Sequence, residues 1–190
     1  MFYESNEKEL ILKENVNLYD DDALIVLLDT ISSNVKKNPR FGNNHITNDD
    51  LHIAHASTTK SVCDAAVAMG HKWLETYFKN WEDEGHAVVN KIENVPPYAN
   101  REGSELAVHK LWGYKIVDGF EGVPHNHWPH MLTFVYYMDA SDPIYFPYLD
   151  LEVKPEPGLM LMFRGNVFHQ VRVANENTRY VLAGSLQYVA

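Results

Sequence analysis

Apolar residues recur every three or four positions in the first part of the chain and at alternate positions in the last part, and the change of period divides the chain by secondary structure. Leu24, Leu27, Leu28, Ile31 and Val35 fall on one helix face. Asp20, Asp21 and Asp22 ahead of that run and Lys36 and Lys37 behind it suit the two ends of the helix dipole, and Pro39 stops it. A second helix is predicted over residues 61–79, where Val62, Ala66, Met69, Trp73 and Tyr77 keep the same spacing and Ser61 with Asp64 has the form of a capping box. The polar, Asn-rich residues 38–50 read as a loop, with His45, His52 and His55 around it as surface residues.

After Gly85 the chain turns to β-branched and alternating runs, at residues 88–89, 106–117, 131–138, 159–163, 169–173 and 179–189. Pro96-Pro97, Asp142-Pro143 and Asn175-Glu176-Asn177 are turn formers between them. No helical segment there is long enough for a parallel crossover, so the strands are expected to pair antiparallel and close into a sandwich or barrel. The helices would brace its outside. With 190 residues and no internal repeat or linker, a single domain over residues 1–190 is expected.

Composition narrows the function. The chain is 45% hydrophobic and 22% charged, an ordinary globular profile. A net charge of -10, with Lys and Arg scattered, would repel phosphate backbones, so no nucleic-acid partner is expected. The N-terminus lacks a basic region followed by an apolar run, and no stretch is apolar enough to span a membrane, so a cytoplasmic protein with no membrane partner is expected. Cys63 lies in an apolar helical pattern and reads as a small buried hydrophobe. A homodimer is left open.

Ten histidines are a rich supply of metal ligands, and their clustering decides their meaning. In Gly119-Phe120-Glu121-Gly122-Val123-Pro124-His125-Asn126-His127-Trp128-Pro129-His130, two histidines stand two residues apart ahead of a predicted strand. In extended chain His125 and His127 project to one face, roughly 6.5 Å apart, where two imidazoles can share one metal. A His-rich surface loop is the alternative. His169 follows the buried run 157–163 and a short turn at Arg164-Gly165-Asn166, and opens the next strand, a suitable place for a third ligand. Arg179 comes ten residues later, on what reads as the neighbouring strand of a hairpin. Val181, Ala183 and Ser185 then line its face with small side chains and leave room for a small acid. An inward arginine is costly unless paired, and its fork suits a carboxylate; a structural ion pair is the alternative.

These motifs resemble the Fe(II)/2-oxoglutarate-dependent oxygenases, in particular the compact branch of phages and marine bacteria. The resemblance rests on a Trp112-containing strand, Pro124-His125-Asn126-His127, Phe134-Val135-Tyr136-Tyr137, the strand at 155–163, and His169 with Arg179. It covers residues 86–190, with 1–85 similar only in being helical. It implies a double-stranded β-helix (jelly-roll) core over 86–190 supported by mainly helical residues 1–85. It implies Fe(II) held by His125, His127 and His169, and 2-oxoglutarate anchored through its far carboxylate by Arg179. The implied reaction is dioxygenase chemistry on a small molecule or a protein side chain.

Two positions depart from the family pattern. His127 stands where most members have Asp, which gives three histidines or a carboxylate borrowed from elsewhere; Asp118, Glu121, Asp139 and Asp142 are the nearest, none at the usual spacing. Val181 stands where many members have a cosubstrate-binding Ser or Thr, and Tyr137 is placed to compensate. His130 falls on the opposite face from His127, and Trp128 and Arg172 are candidates for substrate contact near the mouth. A cupin barrel is a rival reading, but Met131 and Leu132 stand where its glutamate would be, and it leaves Arg179 without a role. A non-catalytic ligand-binding barrel is a third.

Overall fold

The computed structural model describes residues 11–32, 45–47, 50–83, 104–116, 121–139, 142–172 and 178–189. Three helices, α1 (Asp21–Ser32), α2 (Leu51–Ala54) and α3 (Ala56–Asp83), precede the long strand β3 (Glu105–Ile116). The strands β4 (Leu132–Tyr137), β5 (Ile144–Phe146), β6 (Leu151–Val153), β7 (Leu159–Arg164), β8 (Gln170–Val171) and β9 (Arg179–Val189) follow. Two short strands, β1 (Leu12–Asn15) and β2 (His45–Ile46), arise in the mainly helical part and join the larger sheet. That sheet has the order β1-β7-β4-β9-β3-β2 and faces a smaller one, β6-β5-β8, with every strand pair antiparallel.

Alternation along the central strands builds two cores. Leu132, Phe134, Tyr136, Met160, Met162, Leu182 and Leu186 point to the helices and meet Leu24, Leu28, Val62, Met69 and Trp73. Their odd-numbered neighbours Val135, Tyr137, Leu161, Phe163, Val181 and Ala183 point the other way, to Ile144, Phe146 and Val153 of the smaller sheet. The result is a layer of helices on one face of a jelly-roll barrel. An irregularity in β3 resets its phase: Val108 pairs with Leu186 and Lys110 with Ser185, so His109 is an extra, unpaired residue. Val108 therefore packs toward the helices while Lys110, Trp112 and Tyr114 line the barrel's interior.

The expected helices form, and α3 extends beyond its predicted 61–79 at both ends, to Ala56–Asp83. α3 begins at Ala56, five residues before Ser61, because the His55 carbonyl takes the backbone N–H groups of Thr58 and Thr59 and the Thr59 hydroxyl. Ser61 is thus interior, and Asp64 pairs with Lys60 one turn back instead of completing a capping box. Just past the expected loop, residues 51–54 make the single turn α2, and Asp50, the last loop residue, forms a bridge to Leu111. The runs at 88–89, the turns at 96–97 and 175–177, and Lys36, Lys37 and Pro39 lie outside the described residues. Among the described residues no helix is long and apolar enough to cross a membrane.

α1 packs so closely on β3 that a side chain at Gly113 has no room: a Cβ there would lie 2.2 Å from Leu28 Cδ2. Gly113→Ala should therefore cost roughly 1–3 kcal/mol of stability, the range for overpacking. Leu28→Ala should cost roughly 2–5 kcal/mol by opening a cavity. The double variant should be more stable than the sum of the two losses, since the added methyl occupies the space vacated. A denaturant double-mutant cycle measures this coupling, and strict additivity would refute the close-packing account.

Candidate metal centre and cavity

His125 and His169 are joined through their backbones: the N–H of each donates to the carbonyl of the other, at 3.0 and 2.9 Å. Gly122 also donates to Val171, so residues 121–125 run antiparallel to the start of β8. The bridge sets the two imidazoles 4.5 Å apart. Each ring then does the same thing locally: His125 Nδ1 is 2.9 Å from the Val123 carbonyl, and His169 Nδ1 is 3.0 Å from that of Val167. Carbonyls only accept, so both Nδ1 atoms carry a proton, and in a neutral ring this leaves the Nε2 lone pair free.

His127 completes the group. Its N–H donates to the Gly165 carbonyl at 2.7 Å, and its ring lies 5.1 Å from each of the other two. One nitrogen of each residue lies within 4.8 Å of the others, so the predicted triad is assembled; among the described residues no carboxylate joins it. Gly165 must be glycine, because a Cβ would stand 2.0 Å from the His130 carbonyl oxygen. In the sequence it stands only as part of the turn Arg164-Gly165-Asn166.

Burial controls the charge of this cluster. His127 is pushed down to about 3, first by desolvation and then by the neighbouring imidazoles His169, His125 and His130. His169 is pushed down to about 4, again first by burial and then by His125. Phe163 and Phe146 flank His169, and Trp112 packs against His127 with ring centres 5.2 Å apart. Both imidazoles are therefore neutral near pH 7, as metal ligation requires.

The histidines open onto a cavity of about 660 Å³ whose walls include Trp112, Val135, Tyr137, Arg179, Val181 and Ala183. Arg179 reaches it by a route other than the one expected. β8 pairs with β5 in the smaller sheet, while β9 lies between β4 and β3 in the larger, so Arg179 is not on the strand beside that of His169. The turn's length suggested a hairpin, but it does not dictate which sheet the following strand enters. Arg179 and the histidines face each other across the barrel.

The guanidinium is 2% exposed and its Nη1 donates to Asp142 Oδ2 at 2.9 Å, itself 5% exposed. Nε and Nη2 have no hydrogen-bond partner. Both expectations for Arg179 are thus present at once: a structural ion pair on one side and an unsatisfied fork on the other. Tyr137 is fully buried beside it; burial pushes its phenol up and the arginine pulls it part of the way back. Val181 is the register partner of Tyr137 on β9 and lines the same cavity.

The other candidates separate. Asp142 is engaged by Arg179, and Asp139, raised to about 6 chiefly by burial, accepts the N–H of Tyr180. Neither belongs to the histidine cluster; Glu121 does not either, and Asp118 lies outside the described residues. His130 lines the cavity and packs on His109, 5.2 Å between ring centres. Trp128 is 57% exposed, and Arg172 lies over the Tyr145 ring at 3.7 Å with Glu152 at 3.4 Å. Neither side chain is among the residues that line the cavity. Lys110 and Tyr114 do line it and were not singled out, because the shift of phase at His109 is invisible in the sequence.

No family model matches the sequence, and no characterised protein matches it at the level of sequence. Solved structures do match the fold. One is a viral collagen prolyl hydroxylase from Paramecium Bursaria Chlorella virus-1, solved as a 2OG complex, at a TM-score of 0.59 and 11% identity over 96% of this chain and 98% of that one. Another is a prolyl-4-hydroxylase from Pseudomonas putida, at a TM-score of 0.57 and 14% identity over 96% of this chain and 95% of that one. The likeness takes in the helices as well as the barrel, beyond the 86–190 region that the motifs indicated. At such identities it is a likeness of fold: the chain has the double-stranded β-helix (jelly-roll) architecture that these prolyl hydroxylases share.

Proposed function

We propose that the chain is an Fe(II)- and 2-oxoglutarate-dependent dioxygenase that hydroxylates a small molecule or a protein side chain. The observation that carries this reading is the buried Arg179, whose Nε and Nη2 are unpartnered on the wall of a cavity shared with three clustered histidines. A buried, half-satisfied guanidinium is costly, and a carboxylate is the partner that satisfies two donors of one fork. The cupin pattern gives that fork no role.

The residues fit the groups. His125 and His169 would hold the ion through Nε2, each fixed by its carbonyl, and His127 would supply the third nitrogen in place of the family's carboxylate. Arg179 would take the far carboxylate of 2-oxoglutarate, held in position by Asp142. Tyr137 would offer the hydroxyl that Val181 lacks. When bound, the ferrous ion would supply the redox chemistry by which dioxygen oxidises 2-oxoglutarate to succinate and carbon dioxide with one oxygen atom and hydroxylates an unactivated C–H bond with the other. The chain's part would be to hold 2-oxoglutarate and the substrate in a largely apolar cavity and exclude bulk water.

Anaerobic addition of 2-oxoglutarate to the Fe(II) protein should produce the visible charge-transfer band of a chelated 2-oxo acid; iron binding with no band at saturation sinks the cosubstrate assignment. Arg179→Leu should weaken 2-oxoglutarate binding about ten- to a hundredfold, the worth of a charge-assisted hydrogen bond, while metal content stays. Metal loss would mark the arginine as structural only.

His127→Ala should lose most bound iron and His127→Asp should keep it, as read by metal analysis after gel filtration. An alanine variant as iron-rich as the parent would remove His127 from the ligand set.

Acid should destabilise the metal-free protein through the same histidine. Its folded value is depressed to about 3, so the unfolded chain binds a proton that the folded one refuses, and the stabilising contribution, complete above about 6.5, is lost as pH falls toward 3. Asp139, raised to about 6, acts in the opposite sense but is common to both chains in the comparison. Between pH 7 and 4.5, wild type should therefore lose more stability than His127→Gln, measured by denaturant unfolding. Equal losses would contradict the burial of a neutral imidazole.

A further inference from the structure

Arg179 is faced by two carboxylates, and the proposed cosubstrate would bring a third. Asp142, itself buried, accepts from Nη1 at 2.9 Å. Asp139 stands at the end of β4, where its side chain replaces the main chain in the strand pairing. The N–H of Met138 donates to the Tyr180 carbonyl, and the N–H of Tyr180 then donates to Asp139 Oδ2 at 3.0 Å rather than to a backbone oxygen. The carboxylate is thereby tied to the residue next to Arg179, and each of the two charges acts on the other. The second oxygen, Asp139 Oδ1, is buried with no hydrogen-bond partner. Burial of a carboxylate oxygen that nothing donates to disfavours the ionised form, so this group is poised to accept a proton.

The balance of charge says when the proton arrives. Among the described residues, the charged groups acting on Asp139 are Arg179 from β9 and Asp142 from the chain ahead of β5. Tyr137, beside Arg179, is kept a neutral phenol by burial, and Lys115, over the Tyr180 ring, is paired with Asp29. Arg179 and Asp142 cancel, and a divalent ion on three neutral imidazoles would be cancelled by the dianion of 2-oxoglutarate. An ionised Asp139 is then the one uncompensated charge, next to the carboxylate that arrives. We propose that Asp139 takes up a proton when a carboxylate binds Arg179, so that the acid cosubstrate is bound together with a proton; this rests on the reading of Arg179 as its anchor. Burial holds the Asp139 carboxyl at about 6 before any anion arrives, and a further negative charge moves it higher. Asp139 is not among the residues that line the cavity, so it acts through Arg179 as a positioning residue. Ionised, it competes for the guanidinium's charge; protonated, it leaves the Nε–Nη2 edge to the ligand. A bound state that holds one more proton is favoured as pH falls, so affinity should rise toward about 6 and level off below, where Asp139 is already protonated in the free protein.

Titration calorimetry of the zinc-loaded protein with 2-oxoglutarate and with glutarate, near pH 7 in buffers of different ionisation enthalpy, counts the protons. For either acid, wild type should take up about one proton more than Asp139→Asn. From about pH 7 to about pH 8 the wild-type affinity should fall about tenfold, and that of Asp139→Asn should change by no more than about twofold. The asparagine keeps an oxygen for the Tyr180 N–H, and a melting temperature near that of wild type checks that the strand pairing is intact. The proposal is overturned if the two proteins take up equal numbers of protons, or if Asp139→Asn keeps the wild-type slope with pH, since the proton would then go elsewhere. A folded Asp139→Asn that binds neither acid overturns it too, because the ionised carboxylate would then be required. A charge-transfer band in the iron protein with no difference in protons sinks the linkage alone. A difference in protons with no band sinks the oxygenase reading and leaves the linkage standing, and a wild type that binds neither acid overturns both.

Discussion

The reciprocal backbone hydrogen bonds between His125 and His169 are the constraint on which the centre depends. They tie a stretch with little regular structure to the first residue before β8 and bring two imidazoles together without any side-chain attraction. Because the bridge is antiparallel and each ring turns back to the carbonyl two residues earlier, the two histidines are near-equivalent: both protonated at Nδ1, both open at Nε2. His127 is added through the carbonyl of Gly165, which can approach only because that residue has no Cβ. The geometry of the histidine cluster is thus set by main-chain pairing.

Opposite the histidines, the larger sheet contributes a charge that the barrel must accommodate. Desolvation opposes the Arg179 cation, and Asp142 offsets it so that the buried pair is close to neutral. Orienting one edge of the guanidinium in this way leaves the Nε–Nη2 edge directed by the protein rather than by its ligand. On the proposed reading the replacement of a carboxylate ligand by His127 has an electrostatic consequence. Three neutral imidazole ligands would leave the full charge of a divalent ion to be balanced by the 2-oxoglutarate brought into the cavity, rather than by the protein itself.

Much of this was legible in the sequence, and its omissions have physical causes. The long strands β3, β4, β7 and β9 show enough alternation to be read directly, and the period of two in His125-x-His127 shows both rings on one side. Arg179 stood out because a cation on an inward-facing strand position requires a partner. The strands β1, β2, β5 and β6, of two to four residues, are too short for any period to register, and three of them pair with segments far away in the chain. A turn's composition shows that the chain reverses but not whether the next strand stays in the same sheet, so the β8–β9 step looked like a hairpin. Asp142 was noticed as a carboxylate, but its pairing across 37 residues is a fact of the folded barrel.

The bulge at His109 shows how one residue can redirect chemistry. Before it, Leu106 and Val108 face the helices; after it, Leu111 does, and Lys110 and Trp112 turn inward. Without the extra residue, the phase set by Val108 would carry Lys110 to the helix side, where a lysine would meet an apolar core, and Leu111 into the cavity. The bulge is fixed from outside the strand: His109 Nδ1 lies 2.8 Å from Gln187 Nε2 on β9, and its ring packs on His130. Because His130 also donates its N–H to the His127 carbonyl, the element that turns Lys110 inward is in contact with the turn that carries a histidine of the cluster. The inward turn of Lys110 and the turn that carries His127 are therefore in contact through the His109–His130 pair, and a change in either would be felt by the other.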